Sequence, residues 1–366
     1  SSNTTAGFNT GIGNAALQSS TSTGNTAVGS SALNAALTGD YNTAVGMNAG
    51  LVMTTGDRNV AVGYQSLDAC TTGQYNVGIG NAALGSLIDS DDNTVIGTNA
   101  GAAVTTGSDN TFVGSAAGDA TDDGAENTAV GKSALSANCG NGNAAVGHAA
   151  LLQCTGATNV AMGSSAGWSI TSGGDNTTIG STAGGAVTTG SNNLFVGHDA
   201  GLTGSPGGNQ TTGSNQLALG DENITSSHVQ VDWQIASDAR DKTDFTALDL
   251  GLDFVKALAP VTYKWDKRAK YGDKTADDYD LNAQSPDGTH KEDWLDVGFK
   301  AQDVEALEIA AGYNKSSKTN LTTTLSNDGK QYSIQYSKFV PILVKAIQEQ
   351  NALIEALTAR ITTLEG

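Results

Sequence analysis

A serine and a lysine five positions apart, in Ser237-Asp238-Ala239-Arg240-Asp241-Lys242-Thr243, are the residues of this chain best suited to covalent chemistry. A serine hydroxyl becomes a useful nucleophile when a base removes its proton. With no suitable histidine nearby, a lysine kept neutral by burial can be that base, as in Ser-Lys hydrolases. The expected step is attack by Ser237 Oγ on the carbonyl of Ala236, which makes Ala236-Ser237 the cleavage site. Lys242 would accept the hydroxyl proton and supply one to the leaving amine, and water would hydrolyse the ester. The covalent chain supplies proximity, so no substrate pocket is needed. On a regular helix, residues five apart point about 140° apart. The pair therefore needs a turn, or a lysine from a neighbouring chain. The plainer reading is a helix cap at Ser237 and Asp238 beside a solvated Lys242. Oxyanion donors are not identifiable from sequence.

No other constellation competes with this pair. His148, His198, His228 and His290 fall in unrelated contexts without metal spacing, and surface or turn positions are expected for them. Asp91-Asp92 and Asp122-Asp123 sit in turn-like stretches, where solvation is expected before calcium binding. Cys70, Cys139 and Cys154 are an odd count without a CxxC pair, which favours buried thiols, with a Cys139–Cys154 bridge as the lesser alternative. No metal and no cofactor are expected.

The elements that must position the pair begin with a repeat array. Asn-x-x-aliphatic-Gly starts at Asn9, Asn25, Asn42, Asn59, Asn76, Asn93, Asn110, Asn127, Asn143, Asn159, Asn176 and Asn193. In a strand, the second and fourth residues of this motif share one face and the third lies on the other. The glycine allows a tight turn. The Ala-rich remainder is expected to form a second short strand. One repeat cannot bury its Val or Ile alone, so stacked repeats are expected to bury an aliphatic ladder, with the asparagines in a parallel hydrogen-bonded row. The fold expected is a mostly β chain: a parallel β-solenoid or β-roll of about twelve coils over residues 1–201, roughly 55–60 Å long at about 4.8 Å per coil. The Asn-Thr-Ala-Val-Gly pattern resembles the head repeats of trimeric autotransporter adhesins and related phage tail-fibre repeats. That resemblance implies a left-handed roll in a trimer.

Residues 202–236 are expected to be a neck leading to the cleavage site, with Ile224, Val229, Val231, Trp233 and Ile235 alternating and Trp233 closing the solenoid core. Residues 237–366 follow as a small α+β domain. Its spacing predicts a helix over 249–258 ended by Pro260, a strand over 261–265, a loop over 266–293, a strand leading to a short helix over 297–304, and a strand over 332–336. Leu343, Ile347, Gln350, Ile354, Leu357, Ile361 and Leu364 make a heptad seam, so a coiled coil is expected over 339–366.

Ser237-Asp238-x-Arg240-x-Lys242, Gly251-Leu252-Asp253-Phe254, Leu258-x-Pro260-Val261-x-Tyr263, Gly298-Phe299-x-Ala301-Gln302-Asp303-Val304 and Ala346-Ile347-Gln348-Glu349 occur in that order. They resemble the self-cleaving intramolecular chaperone of phage tailspikes and endosialidases, with Lys300 standing where that family often has an apolar residue. The resemblance implies a chaperone that aligns three chains, folds the fibre ahead of it and then cuts itself off. The partners implied are two further copies, other tail proteins and a host-surface receptor, expected to be a glycan. The location implied is the virion tail, after assembly in the host cytoplasm. The alternative is a bacterial surface adhesin with a non-cleaving trimerisation module. A glycan-degrading tailspike is disfavoured, because no paired carboxylates stand out from the repeats.

Charge narrows the partners. Residues 1–231 carry 15 acidic and 2 basic side chains, a surface that repels phosphate backbones, so nucleic-acid binding is not expected. No apolar run of about 18 residues exists, so membrane insertion is not expected. The first residues already read as repeat interior, and a longer parent chain is expected.

Overall fold

The computed structural model describes residues 7–230, 233, 235–274, 276, 278–314, 316, 319 and 321–366. One compact unit reaches Asn223, and a second runs from Ile224 to Gly366. The first is a parallel β-solenoid. Thirteen three-residue strands, β1 (Thr10–Ile12) to β13 (Leu217–Leu219), each pair in register with the next. The step between coils is 16 or 17 residues until β12 (Leu194–Val196), from which Leu194 pairs with Leu217 across a 23-residue step.

The asparagine row forms. The backbone N–H of Asn42 donates to Asn25 Oδ1 (2.7 Å), and Asn42 Nδ2 donates to Gly56 O (2.8 Å). The first of these bonds recurs coil by coil until the N–H of Gln216 donates to Asn193 Oδ1 (2.9 Å). Gln216 itself folds its Nε2 back onto Ser214 O. The repeated asparagines from Asn25 to Asn193 are buried, which is tolerable because their side-chain oxygens all accept within the stack and their amide nitrogens, Asn127 Nδ2 excepted, donate there. The closing glycines form a second row. Gly46 has φ +141, and a Cβ on it would lie 2.3 Å from Gly63 O.

Two expectations about the coil are corrected. The buried strand position is the third of the motif (Ala44, Ala61, Val95, Phe112, Ala129, Phe195), while the fourth (Val45, Ile79, Ile96, Val130, Val146, Ile179) faces outward. The coil interior is narrow, so its strand wall is lined mainly by small side chains, and the aliphatic row lies on the outer face. The Ala-rich half is not a strand. It is a run of turns with positive φ, as at Asn48 and Leu84. Hydrogen bonds between coils persist there without strand geometry, as from Leu84 N to Ala100 O (3.1 Å).

The core fills by alternation between coils. Leu67, Leu84 and Leu135 are fully buried four residues after their closing glycines, whereas Gly101 and Gly118 occupy that slot around Phe112. A Cβ on Gly118 would fall 2.5 Å from the Phe112 ring, so the ring takes the volume a leucine fills elsewhere. Phe112→Ala should therefore cost about 3–5 kcal/mol in urea unfolding of the full chain. A loss below about 1 kcal/mol would show that the neighbouring coils collapse into the space.

The neck differs from expectation. Between β13 and residue 238 the described residues contain no helix or strand; Val229, Trp233 and Ile235 are exposed, and Val231 lies outside the described residues. On the single chain Trp233 is 71% exposed.

The second unit holds α1 (Leu252–Ala257), an antiparallel pair β14 (Val261–Tyr263) and β15 (Asp296–Gly298), α2 (Ala301–Ala310), a second pair β16 (Thr323–Leu325) and β17 (Tyr332–Ile334), and α3 (Phe339–Glu365). Its core is Leu250, Phe254, Val304, Phe339 and Ile342. Several motif residues acquire physical reasons. Glu349 Oε2 accepts from the backbone N–H of Leu252 (2.7 Å) at the start of α1, and a Cβ on Gly251 would lie 2.1 Å from that oxygen. This bond holds the Glu349 carboxyl below its ordinary range. A Cβ on Gly298 would meet Tyr336 Oη at 2.3 Å, and that oxygen accepts from Phe299 N (3.2 Å). Buried Glu308 accepts from the N–H and hydroxyl groups of both Thr322 and Thr323, tying β16 to α2. Only the first turns of α3 pack inward, through Phe339, Ile342 and Ala346; the seam residues Leu343, Ile347, Ile354, Leu357, Ile361 and Leu364 are exposed. Among the described residues no helix is long and apolar enough to cross a membrane.

Candidate processing site

Ser237 and Lys242 meet within one chain. Lys242 Nζ lies 2.6 Å from Ser237 Oγ and 3.3 Å from Ser237 O. The geometric obstacle of a regular helix is avoided because the intervening residues form a single 3-10 turn, Ala239–Asp241, with extended backbone at Asp238 and Lys242. The sequence explains the turn. Asp238 Oδ1 accepts from Arg240 N (2.9 Å), as an N-cap does, and the Arg240 guanidinium donates back to the same carboxylate, with Nη2 at 2.6 Å from Oδ2. The Arg240 side chain and backbone together hold the Asp238 carboxyl below its ordinary range. Asp238 therefore does the capping, while the Ser237 hydroxyl is engaged by lysine. Ala236, Ser237 and Lys242 are all exposed on the single chain.

The cysteines are free and buried, and burial pushes the Cys70 thiol up to about 12 and Cys154 to about 11, so neither is poised as a nucleophile. His198 lies on the surface, as expected of it, but beside two carboxylates. Its Nδ1 lies 3.4 Å from both Asp199 Oδ2 and Asp221 Oδ2. Burial raises the Asp221 carboxyl, but hydrogen bonds from Asn223 and His198 outweigh it and leave it below the ordinary range. The 23-residue step hid this cluster, since it places residue 221 one coil from residue 198; reading the residue after each closing glycine as one column would have found it.

The chain is thus a parallel solenoid followed by a small α+β domain that carries a serine–lysine pair in its first residues. Residues 237–313 match the family described as chaperone of endosialidase, a family of self-cleaving peptidases. Those residues form a chaperone-of-endosialidase domain, and its first residue is Ser237. No curated protein and no solved structure matches the chain.

Proposed function

We propose that the chain is a segment of a phage tail fibre, in which three copies form a rod for host-surface attachment and the C-terminal domain aligns them, folds the rod and releases itself at Ala236-Ser237. The observation that carries this reading is the 2.6 Å contact of Lys242 Nζ with Ser237 Oγ, at the residue where the chaperone match begins. In the proposed reaction Ser237 Oγ bonds to the Ala236 carbonyl carbon and gives its proton to neutral Lys242. The C–N bond breaks, and the amine of residue 237 leaves with that proton. Water then hydrolyses the Ala236 ester. A lysine acts as base when burial strips its proton. Both side chains are exposed on the single chain, so a second surface must supply that burial, and assembly precedes cutting.

Two surfaces support assembly. Parallel sheets are ordinarily covered on both faces, yet the outer face of this one presents Val45, Ile79, Ile96, Val130, Val146, Met162 and Ile179, each 36–52% exposed. The seam of α3 is the other, a mostly apolar heptad stripe left exposed by the described residues of its own domain. The receptor is proposed to be a host-surface glycan, and the location the virion tail.

On a denaturing gel with intact mass, the wild type should give pieces 1–236 and 237–366, and Ser237→Ala should remain whole; cutting of that variant at the same bond would sink the mechanism. Ile354→Asp combined with Leu357→Asp should yield single chains by sedimentation, and those chains should stay uncut. Efficient cutting by single chains would show that assembly is not the trigger.

A further inference from the structure

The geometry points to a divalent-cation site of the zinc class at the C-terminal end of the solenoid, formed by His198, Asp199 and Asp221. Residues 198 and 221 follow the closing glycines of adjacent strands β12 and β13, so one stands over the other in the stack. Asp199 comes next in the chain, with φ +53. His198 Nδ1, Asp199 Oδ2 and Asp221 Oδ2 all lie within 4.8 Å of one another.

The spacing is one that a bound cation also accepts, although His198 Nδ1 is within hydrogen-bond reach of Asp221 Oδ2. Direct bonds between a charged nitrogen donor and a carboxylate run about 2.7–2.9 Å. Zinc bonds of about 2.0–2.1 Å at tetrahedral angles place neighbouring donors about 3.4 Å apart. Both His198 distances are 3.4 Å. Two carboxylates brought this close also ask for a countercharge, which a single imidazole supplies only when protonated.

The outer contacts are those of oriented ligands. Asp199 Oδ1 accepts from the Thr182 hydroxyl. Asp221 Oδ1 accepts from Asn223 N (2.9 Å) and its Oδ2 from Asn223 Nδ2 (2.8 Å). Such partners fix the aim of metal-binding side chains. The Asp221 side chain is 7% exposed and the His198 side chain 64%, so the site has a buried floor and an open entry. Three protein donors leave a fourth position for water. A cation there would clip β12 to β13 across the longest step in the array, where loop closure costs the most entropy.

The test uses the full chain, stripped with a chelator and titrated with zinc chloride by calorimetry, with bound zinc counted by mass spectrometry. One zinc per chain is expected, together with a higher thermal midpoint for the solenoid. His198→Ala and Asp221→Asn should each weaken binding at least about tenfold. Asn223→Ala, which changes a positioning residue, should weaken it about 10- to 100-fold while keeping one site. His148→Ala, at the same place in an earlier coil, should bind as the wild type does. Because His198 is mostly exposed, its alanine variant is expected to fold, and circular dichroism of the stripped protein checks this. Failure to retain one zinc per chain, or equal binding by folded His198→Ala, overturns the proposal. Neither outcome depends on whether the chain cuts itself.

Discussion

Lys242→Met should leave the chain in one piece under conditions where the wild type is divided at Ala236-Ser237. Methionine keeps the length of the stem as far as Cε and removes the amine that stands 2.6 Å from Ser237 Oγ. Loss of a positioned general base costs about 10²–10⁴ in rate, enough to turn complete cutting into none on a gel. Lys242→Arg separates the two roles a lysine can play. Arginine supplies the charge and donors but does not give up its proton in proteins. An uncut arginine variant would mean that the amine must become neutral, as the proposed base does. A cut one would mean that the cation only orients the hydroxyl and stabilises charge. If Lys242→Met cuts as fast as the wild type while sedimenting with the same mass, the pair is not the catalyst.

The second large effect belongs to the rod. Gly97→Ala should cost about 3 kcal/mol or more in unfolding of the full chain. Its φ is +146, and a Cβ would sit 2.2 Å from Gly114 O, a backbone atom of the next coil that cannot move aside alone. In a stacked array each coil leans only on its neighbours, so a break there should also appear as early amide exchange spreading from residues 94–114. Gly85→Ala is the matched control: no positive φ is required there, and the nearest contact would be 3.4 Å from Ala82 O. A Gly97→Ala chain within about 1 kcal/mol of wild type would show that the coils can separate enough to admit a methyl group.

Much of this was legible in the sequence, for identifiable reasons. The asparagine and glycine rows were visible because a coil of nearly constant length puts the same demand at the same place each time. The helix ending before Pro260, the strand at Val261 and the long terminal helix followed from apolar spacing and a single proline. The inward face of the strand was not legible. Period-2 alternation separates Ala44 from Val45 without saying which looks inward, and the bulkier residue is the natural guess for a core. The structure puts the smaller one inside because the coil is narrow. β16 was missed because Thr323-Thr324-Leu325 has no alternation, and its anchor, buried Glu308, reads as one more charge on a helix. At the dyad the residues were readable, but a run of seven amino acids does not reveal that Asp238 and Arg240 would pinch it into one turn.

The asparagine row gives the rod a direction and an end. Each coil presents a side-chain oxygen that the next coil's amide must find, so the array has a donating side and an accepting side, and a coil is seated by the one before it. At the thirteenth strand the residue whose backbone N–H donates to the preceding asparagine is Gln216, one methylene longer, and its side-chain amide nitrogen turns back onto Ser214 O. The strand is received like all the others, and among the described residues no further strand joins the sheet beyond it. Along the described coils the register of the rod is thus written as a row of asparagines, met at β13 by a glutamine longer by a single carbon.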